Sequence, residues 1–319
     1  MSVLNFVAQH TMYFTIPLLV VALGGLFSEK SGVVNIALEG IMLMGAFAGV
    51  LFLSFYQDYF PPQVGLLIAL FIATAVGIFM SFLHAFAAIS LQANQIISGV
   101  AINLFAPGFA VFVSKLPHIR GTQNIFYDNH AFRFDVPVLE NIPVIGPMFF
   151  QGALLTYYLG IAILIISVFV LYKTKFGLRL RACGEHPQAA DSLGVNVHRI
   201  RYASVLISGA LAGMGGIIWI VPISGVFNGT VSGYGFLALA VLIFGGWRPM
   251  KILFGALFFG IMQTIANGYA AIPVLDGLGI PAHFYNMIPF IATLIVLAFA
   301  SKNTRAPKAV GQPYDKGTR

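Results

Sequence analysis

Charge is what this chain has least of. Asp, Glu, Lys and Arg make up 8% of its 319 residues, against roughly 25% in soluble globular domains. With 59% of residues hydrophobic, an ordinary water-soluble domain is excluded and an integral membrane protein is implied. Cysteine is nearly absent as well, and the lone Cys183 rules out an internal disulfide framework. Its place in a basic segment points to a reducing compartment. No G-x-x-x-x-G-K-[ST] loop occurs, so the chain does not bind ATP through that device. The seven His residues form no H-x-x-x-H pair, and no G-x-S-x-G elbow or Cys and His metal spacing is present. Neither a metal, nor a cofactor, nor enzymatic chemistry is expected of this chain. The start, MSVLNFVAQHTMYFTIPLLVV, lacks a basic n-region and a small-residue cleavage site, so it is expected to remain as a first helix.

What the chain does have is apolar runs of about 20 residues, enough for helices to cross a hydrocarbon core of about 30 Å and too unalternating for barrel strands. The expected fold is an all-α polytopic bundle. Apolar runs read against turn and charge signals give nine spans, near 9–27, 34–56, 64–89, 95–113, 152–172, 203–222, 233–247, 251–271 and 284–300, with eight or ten also compatible. They form one membrane domain over 1–300, followed by a basic tail over 301–319.

The longest polar stretch with a helix signal of its own is 173–201, KTKFGLRLRACGEHPQAADSLGVNVHRIR. Lys173, Lys175, Arg179, Arg181, Arg199 and Arg201 flank it, which places it in the cytoplasm. That placement puts Lys30, Arg248, Lys251, Lys302, Arg305, Lys308, Lys316 and Arg319 inside as well, and leaves only Lys115, Arg120 and Arg133 outside. The N-terminus is then external and the C-terminus cytoplasmic. Because the basic residues sit beside membrane segments, insertion explains the formal charge of +7, and no nucleic-acid partner is expected. Within the stretch, Pro187 suits a first helical position and Gly194 a left-handed stop. Ala189, Ala190 and Leu193 between them fall on one face, an apolar stripe on a helix too short to be stable alone. Something else must hold it.

The stretch 114–151, with Pro117, Pro137, Pro143 and Pro147, is long for a connection; it reads either as an external surface that meets a delivery protein or as a plain connector. A short repeat joins Ser31-Gly32-Val33-Val34-Asn35 to Ser224-Gly225-Val226-Phe227-Asn228, with Gly40 and Gly233 at matching offsets. One copy lies inside and the other outside, as in an inverted repeat around a midplane pathway; coincidence is the alternative.

Polar side chains in spans are costly unless they face protein or water. Candidate pathway residues are Asn35 and Glu39, Gln95 and Asn103 (with Ser98 and Gly99 on the same stripe), Asn228 and Tyr234, and Gln263 and Asn267. The bland readings are a carboxylate favoured by a helix N-terminus for Glu39, close packing for the Gln95 stripe and the Gln263 pair, and an external turn for Asn228. His84 reads as bonded to a neighbouring helix, and the Gly209 and Gly213 pair as a helix contact.

Three segments resemble a known family. Ser28-Glu29-Lys30-Ser31-Gly32-Val33-Val34-Asn35-Ile36-Ala37-Leu38-Glu39-Gly40, Asn94-Gln95-Ile96-Ile97-Ser98-Gly99-Val100-Ala101-Ile102-Asn103-Leu104 and Gly184-Glu185-His186-Pro187-Gln188-Ala189-Ala190-Asp191-Ser192-Leu193-Gly194 look like motifs of the permease subunits of bacterial ABC importers of the branched-chain amino acid, ribose and nucleoside type. The first looks most like nucleoside permeases. The resemblance implies a pair of permeases, identical or different, a cytoplasmic ATPase that holds ATP and Mg, an extracytoplasmic substrate-binding protein, and an inner-membrane setting. It assigns Gly184, Glu185, Pro187, Ala189, Ala190 and Gly194 to contact with the ATPase. An ion-coupled secondary transporter, a sugar or amino-acid permease of the same family, and an intramembrane enzyme are the competing readings.

Overall fold

The computed structural model describes residues 3–137, 139–143, 145–300 and 306–315. Its helices are α1 (Val3–Lys30), α2 (Leu38–Tyr56), α3 (Pro62–Ala85, ending in a π turn), α4 (Gln95–Ser114), α5 (Ile145–Phe149), α6 (Leu155–Lys173), α7 (Lys175–Glu185), α8 (Pro187–Ser192), α9 (Val197–Ile223), α10 (Tyr234–Phe244), α11 (Pro249–Gly268), α12 (Pro273–Asp276) and α13 (Ala282–Ala300). Short strands β1 (Ile125–Phe126), β2 (Arg133–Phe134), β3 (Ala153–Leu154) and β4 (Val226–Phe227) complete it. Among the described residues, seven helices are long and apolar enough to cross a membrane. The predicted spans at 233–247 and 284–300 fall on shorter apolar helices, over 234–244 and 282–295. Lys302, Arg305, Lys316 and Arg319 of the predicted tail lie outside the described residues.

Helix starts follow local chemistry. Pro62, Pro187 and Pro249 open α3, α8 and α11, where the missing amide hydrogen costs nothing. Asn94 caps α4 by accepting the Ile96 amide at 2.9 Å, and Asn196 caps α9 by accepting that of Arg199 at 3.0 Å. Three predicted boundaries move, two of them at side-chain caps. The second span begins at Leu38 rather than 34, which leaves Asn35 in a loop, off the helix face it was expected to share with Glu39. The sixth begins at Val197 rather than 203. The 173–201 stretch is mostly helix, because Thr174 caps the amide of Gly177 at 3.1 Å and so starts α7.

α1 is apolar on every side and is accordingly buried on every side. It packs against α9, α11, α10 and α6, while α9 packs against α3 and α2. Glycine allows the α3 and α9 backbones to touch: a Cβ on Gly77 would meet the Gly209 carbonyl oxygen at 2.2 Å, and one on Gly213 would meet that of Ala73 at 2.3 Å. Gly209 and Gly213 therefore form the helix contact expected of them. Phe71, Leu104, Ile165 and Phe254 stand exposed around the outside, as suits a surface bathed in hydrocarbon.

The 114–151 stretch is folded onto the bundle. β1 pairs antiparallel with β4 (Ile125 opposite Phe227) and β2 with β3 (Arg133 opposite Leu154). Ile125 and Phe132 are buried, and Gln9 Nε2 on α1 donates to the carbonyls of Pro147 (2.8 Å) and Gln151 (3.1 Å). The Tyr127 hydroxyl donates to the Ile220 carbonyl at 3.0 Å and to that of Ser224; burial raises its phenol pKa.

Candidate functional site

Two regions at opposite ends of α1 gather the singled-out residues. At about 1.5 Å of rise per residue, His10 and Lys30 lie about 30 Å apart along that helix.

At the Lys30 end, α8 is one and a half turns long, opened by Pro187 and stopped by Gly194 at φ +81°. The expected stripe of Ala189, Ala190 and Leu193 is split, which corrects the reading of these residues as one face. Helix geometry ends at Ser192, so the i+3 and i+4 spacing does not carry to Leu193. Ala190 turns inward onto Cys183, Val197 and Tyr314, whereas Leu193 is 85% exposed. Of the residues assigned to ATPase contact, Glu185, Ala189 and Gly194 are exposed; Gly184, Pro187 and Ala190 are buried. Gly184 is a point of backbone contact, since a Cβ there would meet the Lys30 carbonyl oxygen at 2.2 Å. Burial pushes the Cys183 thiol up to about 11, with the nearby Arg201 guanidinium opposing.

What holds α8 in place is the tail. The Ala309 amide donates to the Gly184 carbonyl at 2.9 Å and the Gly311 amide to that of Gly32 at 3.1 Å. Arg201, 2% exposed, donates from Nε to the Ser31 carbonyl (3.2 Å) and from Nη1 to that of Gln312 (3.0 Å). Tail, α7–α8 segment and α1–α2 loop are thus interlocked.

That loop is also pinned from the other side. The Val34 amide donates to Gln95 Oε1 (2.8 Å), and the Val34 carbonyl accepts from His84 Nε2 (2.9 Å), whose Nδ1 lies 2.6 Å from Ser98 Oγ. Asn35 Nδ2 donates to Ser208 Oγ (2.9 Å), Asn103 Nδ2 donates to the Ile36 carbonyl (2.9 Å), and Asn103 Oδ1 accepts the Gly40 amide (2.7 Å). Asn35, Gln95 and Asn103 are therefore tied to this loop and its helices, and none lines the cavities described next. His84 is bonded to a neighbouring element, as expected.

Glu39 connects this loop to the second region. From the first turn of α2, its carboxylate accepts the amides of Gly233 (2.9 Å) and Gly235 (2.7 Å) at the start of α10. It stands near the N-terminus of its own helix, as the bland reading held, and its oxygens also meet the N-terminus of α10. Ser232 and Gly233, both at positive φ (+55° and +79°), turn the chain into α10. Tyr234 follows at once, its ring stacked on Trp219 with centroids 3.3 Å apart.

Around this pair open two adjoining cavities of about 700 and 520 Å³, sharing Ser232, Tyr234, Gln263 and Phe290. Both sizes fall in the range of about 300–1,000 Å³ usual for small-molecule sites. Gln263 and Asn267 of the sequence pairs line the larger, and Asn267 Nδ2 donates to Gln263 Oε1 at 3.1 Å. Asn228 lies outside both; its carbonyl accepts from Gln123 Nε2 at 3.0 Å, which fits the external-turn reading. Sequence reasoning missed Phe14, Trp219 and Asn286 of this lining. Asn286 carried a signal, as a lone amide inside an apolar run, but Trp219 sits in a uniformly apolar stretch with no mark to separate it from core. Among the described residues, no cluster of His, Cys, Asp and Glu is placed to hold a metal ion.

Comparison with known proteins agrees with this architecture. The family model for the branched-chain amino acid transport system / permease component matches residues 7–297. The chain is 43% identical to the guanosine ABC transporter permease protein NupQ of Bacillus subtilis, across 100% of this chain and 99% of that protein. It is 41% identical to the nucleoside ABC transporter permease protein NupC of Lactococcus lactis, covering 99% and 98%. A putative glucose ABC transporter permease of Haloferax volcanii is 30% identical over 94% of each chain. No solved structure matches. Matched over nearly its whole length, and built of multiple apolar helices, the chain belongs to the branched-chain amino acid transport system / permease component family of membrane proteins.

Proposed function

We propose that this chain is the membrane-spanning subunit of a bacterial inner-membrane ABC importer that translocates nucleosides. Full-length identity of 43% and 41% to permeases named for guanosine and nucleosides supports the solute class. The observation that carries the mechanism is α8: a short helix braced from behind by Gly184, Ala190 and the tail, with Leu193 at 85% exposure in front of it. An apolar tip of this kind on a braced helix suits docking into a groove on a separate ATPase, which holds ATP and Mg. Closure of that ATPase on ATP would move α8, and the interlocked tail and α1–α2 loop would pass the motion to Glu39 and the start of α10, biasing the bundle between inward-open and outward-open states.

The basic residues favour a cytoplasmic C-terminus and an external N-terminus. In this orientation the folded 114–151 segment faces the extracytoplasmic substrate-binding protein, and the two shorter apolar helices α10 and α13 join the seven long ones as spans. The repeat fits such an arrangement, since each copy joins a long helix to the next through an extended stretch and Glu39, close behind the first copy, closes on Gly233 behind the second. A second permease, identical or different, completes the assembly. An ion-coupled carrier would want a free carboxylate at mid-helix; Glu39 does not offer one, because both its oxygens accept backbone amides.

Purification of the tagged chain from its native membrane tests the proposal. An ATPase and a second permease should co-elute, and proteoliposomes carrying that assembly with its binding protein should accumulate labelled guanosine only with internal ATP. Accumulation without ATP, driven by an ion gradient, would overturn it.

A further inference from the structure

The larger cavity has chemistry of its own. Its floor is aromatic: Trp219 stacks on Tyr234 with centroids 3.3 Å apart, and Phe14 lies 5.8 Å from Trp219. Its wall holds the amides Gln263, Asn267 and Asn286, with His10, His130 and the cationic Arg133 also on the lining. Tyr234 lines both cavities, and its hydroxyl is buried without a hydrogen-bond partner, a rare condition for a buried polar group.

We infer that this cavity is a binding site for the base of a nucleoside within the permease itself, with the Trp219–Tyr234 stack as the platform and the amide wall reading the base edges and sugar hydroxyls. The inference rests on the nucleoside reading given above and deepens it, because it places solute recognition in this chain as well as in the binding protein. Three properties of the lining select the ligand class. Stacking on aromatic rings tolerates any base, since each has a π face, and so suits a carrier of both purine and pyrimidine nucleosides. Amides supply donors and acceptors together, matching a neutral solute that carries both. Among the described residues no carboxylate lines the cavity and Arg133 is its one Lys or Arg, so the ammonium group of an amino acid would meet a like charge and no counter-charge there. A free sugar would leave the aromatic floor without a flat partner.

The position of Tyr234 makes the site responsive to the rest of the molecule. It is the first residue of α10, directly after the left-handed pair Ser232 and Gly233, and the amides on either side of it are held by Glu39. Non-glycine residues in this conformation are uncommon and tend to mark functional junctions. A shift of Glu39 would therefore carry Tyr234 relative to Trp219, opening or closing the platform as the bundle changes state.

The test is equilibrium binding of labelled guanosine to the purified complex of both permeases with the ATPase, in nanodiscs and without the binding protein. Binding should be saturable, displaced by adenosine and uridine, and unaffected by ribose or leucine. Trp219→Leu should weaken it about ten-fold and Tyr234→Phe, which removes one oxygen atom and keeps the fold, about three-fold. No saturable binding, or the same Kd in Tyr234→Phe and Trp219→Leu as in the unaltered protein, would overturn the site. Uptake by the complete importer judges the broader reading separately: guanosine uptake without guanosine binding to the complex removes this inference alone, whereas absence of guanosine uptake removes the nucleoside assignment itself.

Discussion

Glu39 Oε1 accepts the amide of Gly233 at 2.9 Å, a hydrogen bond between residues 194 positions apart that ties the start of α2 to the start of α10. The second oxygen takes the Gly235 amide at 2.7 Å. A carboxylate here meets the unpaired amides and positive dipole end of another helix, the arrangement that best repays holding a charge in a membrane span. Since α10 opens with Tyr234 against the larger cavity, the same carboxylate ties the segment between α1 and α2 to the cavity.

Replacing Glu39 with Gln keeps its size, removes the charge and leaves one of the two amides facing an NH2 group. Hydrogen bonds to charged groups are worth about 1.5–3 kcal/mol, so thermal unfolding in detergent should move down by several degrees. Uptake should fall about ten-fold. Unchanged uptake in Glu39→Gln would show that the carboxylate has no part in positioning α10.

The split of the α8 face separates two kinds of damage. Leu193 projects outward and touches nothing that stabilises the fold, so Leu193→Asp should leave the unfolding temperature within the small range typical of surface changes, about 0.5 kcal/mol. It should reduce both association with the ATPase and uptake about ten-fold. Ala190→Arg, on the buried side, should instead destabilise the protein by overpacking, by at least about 1–3 kcal/mol. Loss of ATPase association in Ala190→Arg but not in Leu193→Asp would reverse the assignment of the docking face.

Most of the long helices were legible because a membrane span needs many apolar residues in succession, and α1, α3, α4, α6 and α11 announce themselves that way. The helix at Pro187 was legible because proline and glycine have position-specific conformations. What could not be read was direction. Whether Ala190 faces in or out depends on where α8 stops, and whether Gln95 lines a path or holds a loop depends on the Val34 amide, a backbone group with no mark in sequence. The tail was legible as charge alone. Its lodging between Gly32 and Gly184 uses backbone amides of Ala309 and Gly311, for which no side-chain pattern exists.

Cys183 gives a pH-dependent prediction. Burial pushes its thiol up to about 11, above the value of about 8.5 expected in an unfolded chain. The folded state therefore holds the proton more tightly than the unfolded state. The resulting stability is complete below about pH 8.5 and is lost as pH rises towards 11. Relative to Cys183→Ala, the unfolding temperature of the unaltered protein should decline between pH 8.5 and 11 and show no difference in slope from pH 6 to 8. Alkylation of Cys183 by a maleimide at pH 7.5 should also be slow, because the thiol is both neutral and enclosed.

Arg201 is the bolt of the tail. Its guanidinium joins the Ser31 carbonyl on the α1–α2 loop to the Gln312 carbonyl on the tail, and it lies over the ring of Tyr314, which lines one hollow with Asp191 on α8. Arg201→Met keeps a long apolar stem but supplies no donor, so the buried Ser31 carbonyl and the partly buried Gln312 carbonyl lose their partner and the tail loses this attachment to the loop. The helices themselves do not depend on this contact. If the tail carries motion from α8 to the α1–α2 loop, ATP hydrolysis in the assembled importer should continue while solute imported per ATP falls several-fold, and protease sites near Pro307 should become accessible. Arg201→Lys, which can donate to one carbonyl but lacks the planar fork that spans both, should lie between the two. A parallel fall of hydrolysis and import in Arg201→Met, with the ratio unchanged, would mean that Arg201 only stabilises the fold and that the motion reaches Glu39 by another route.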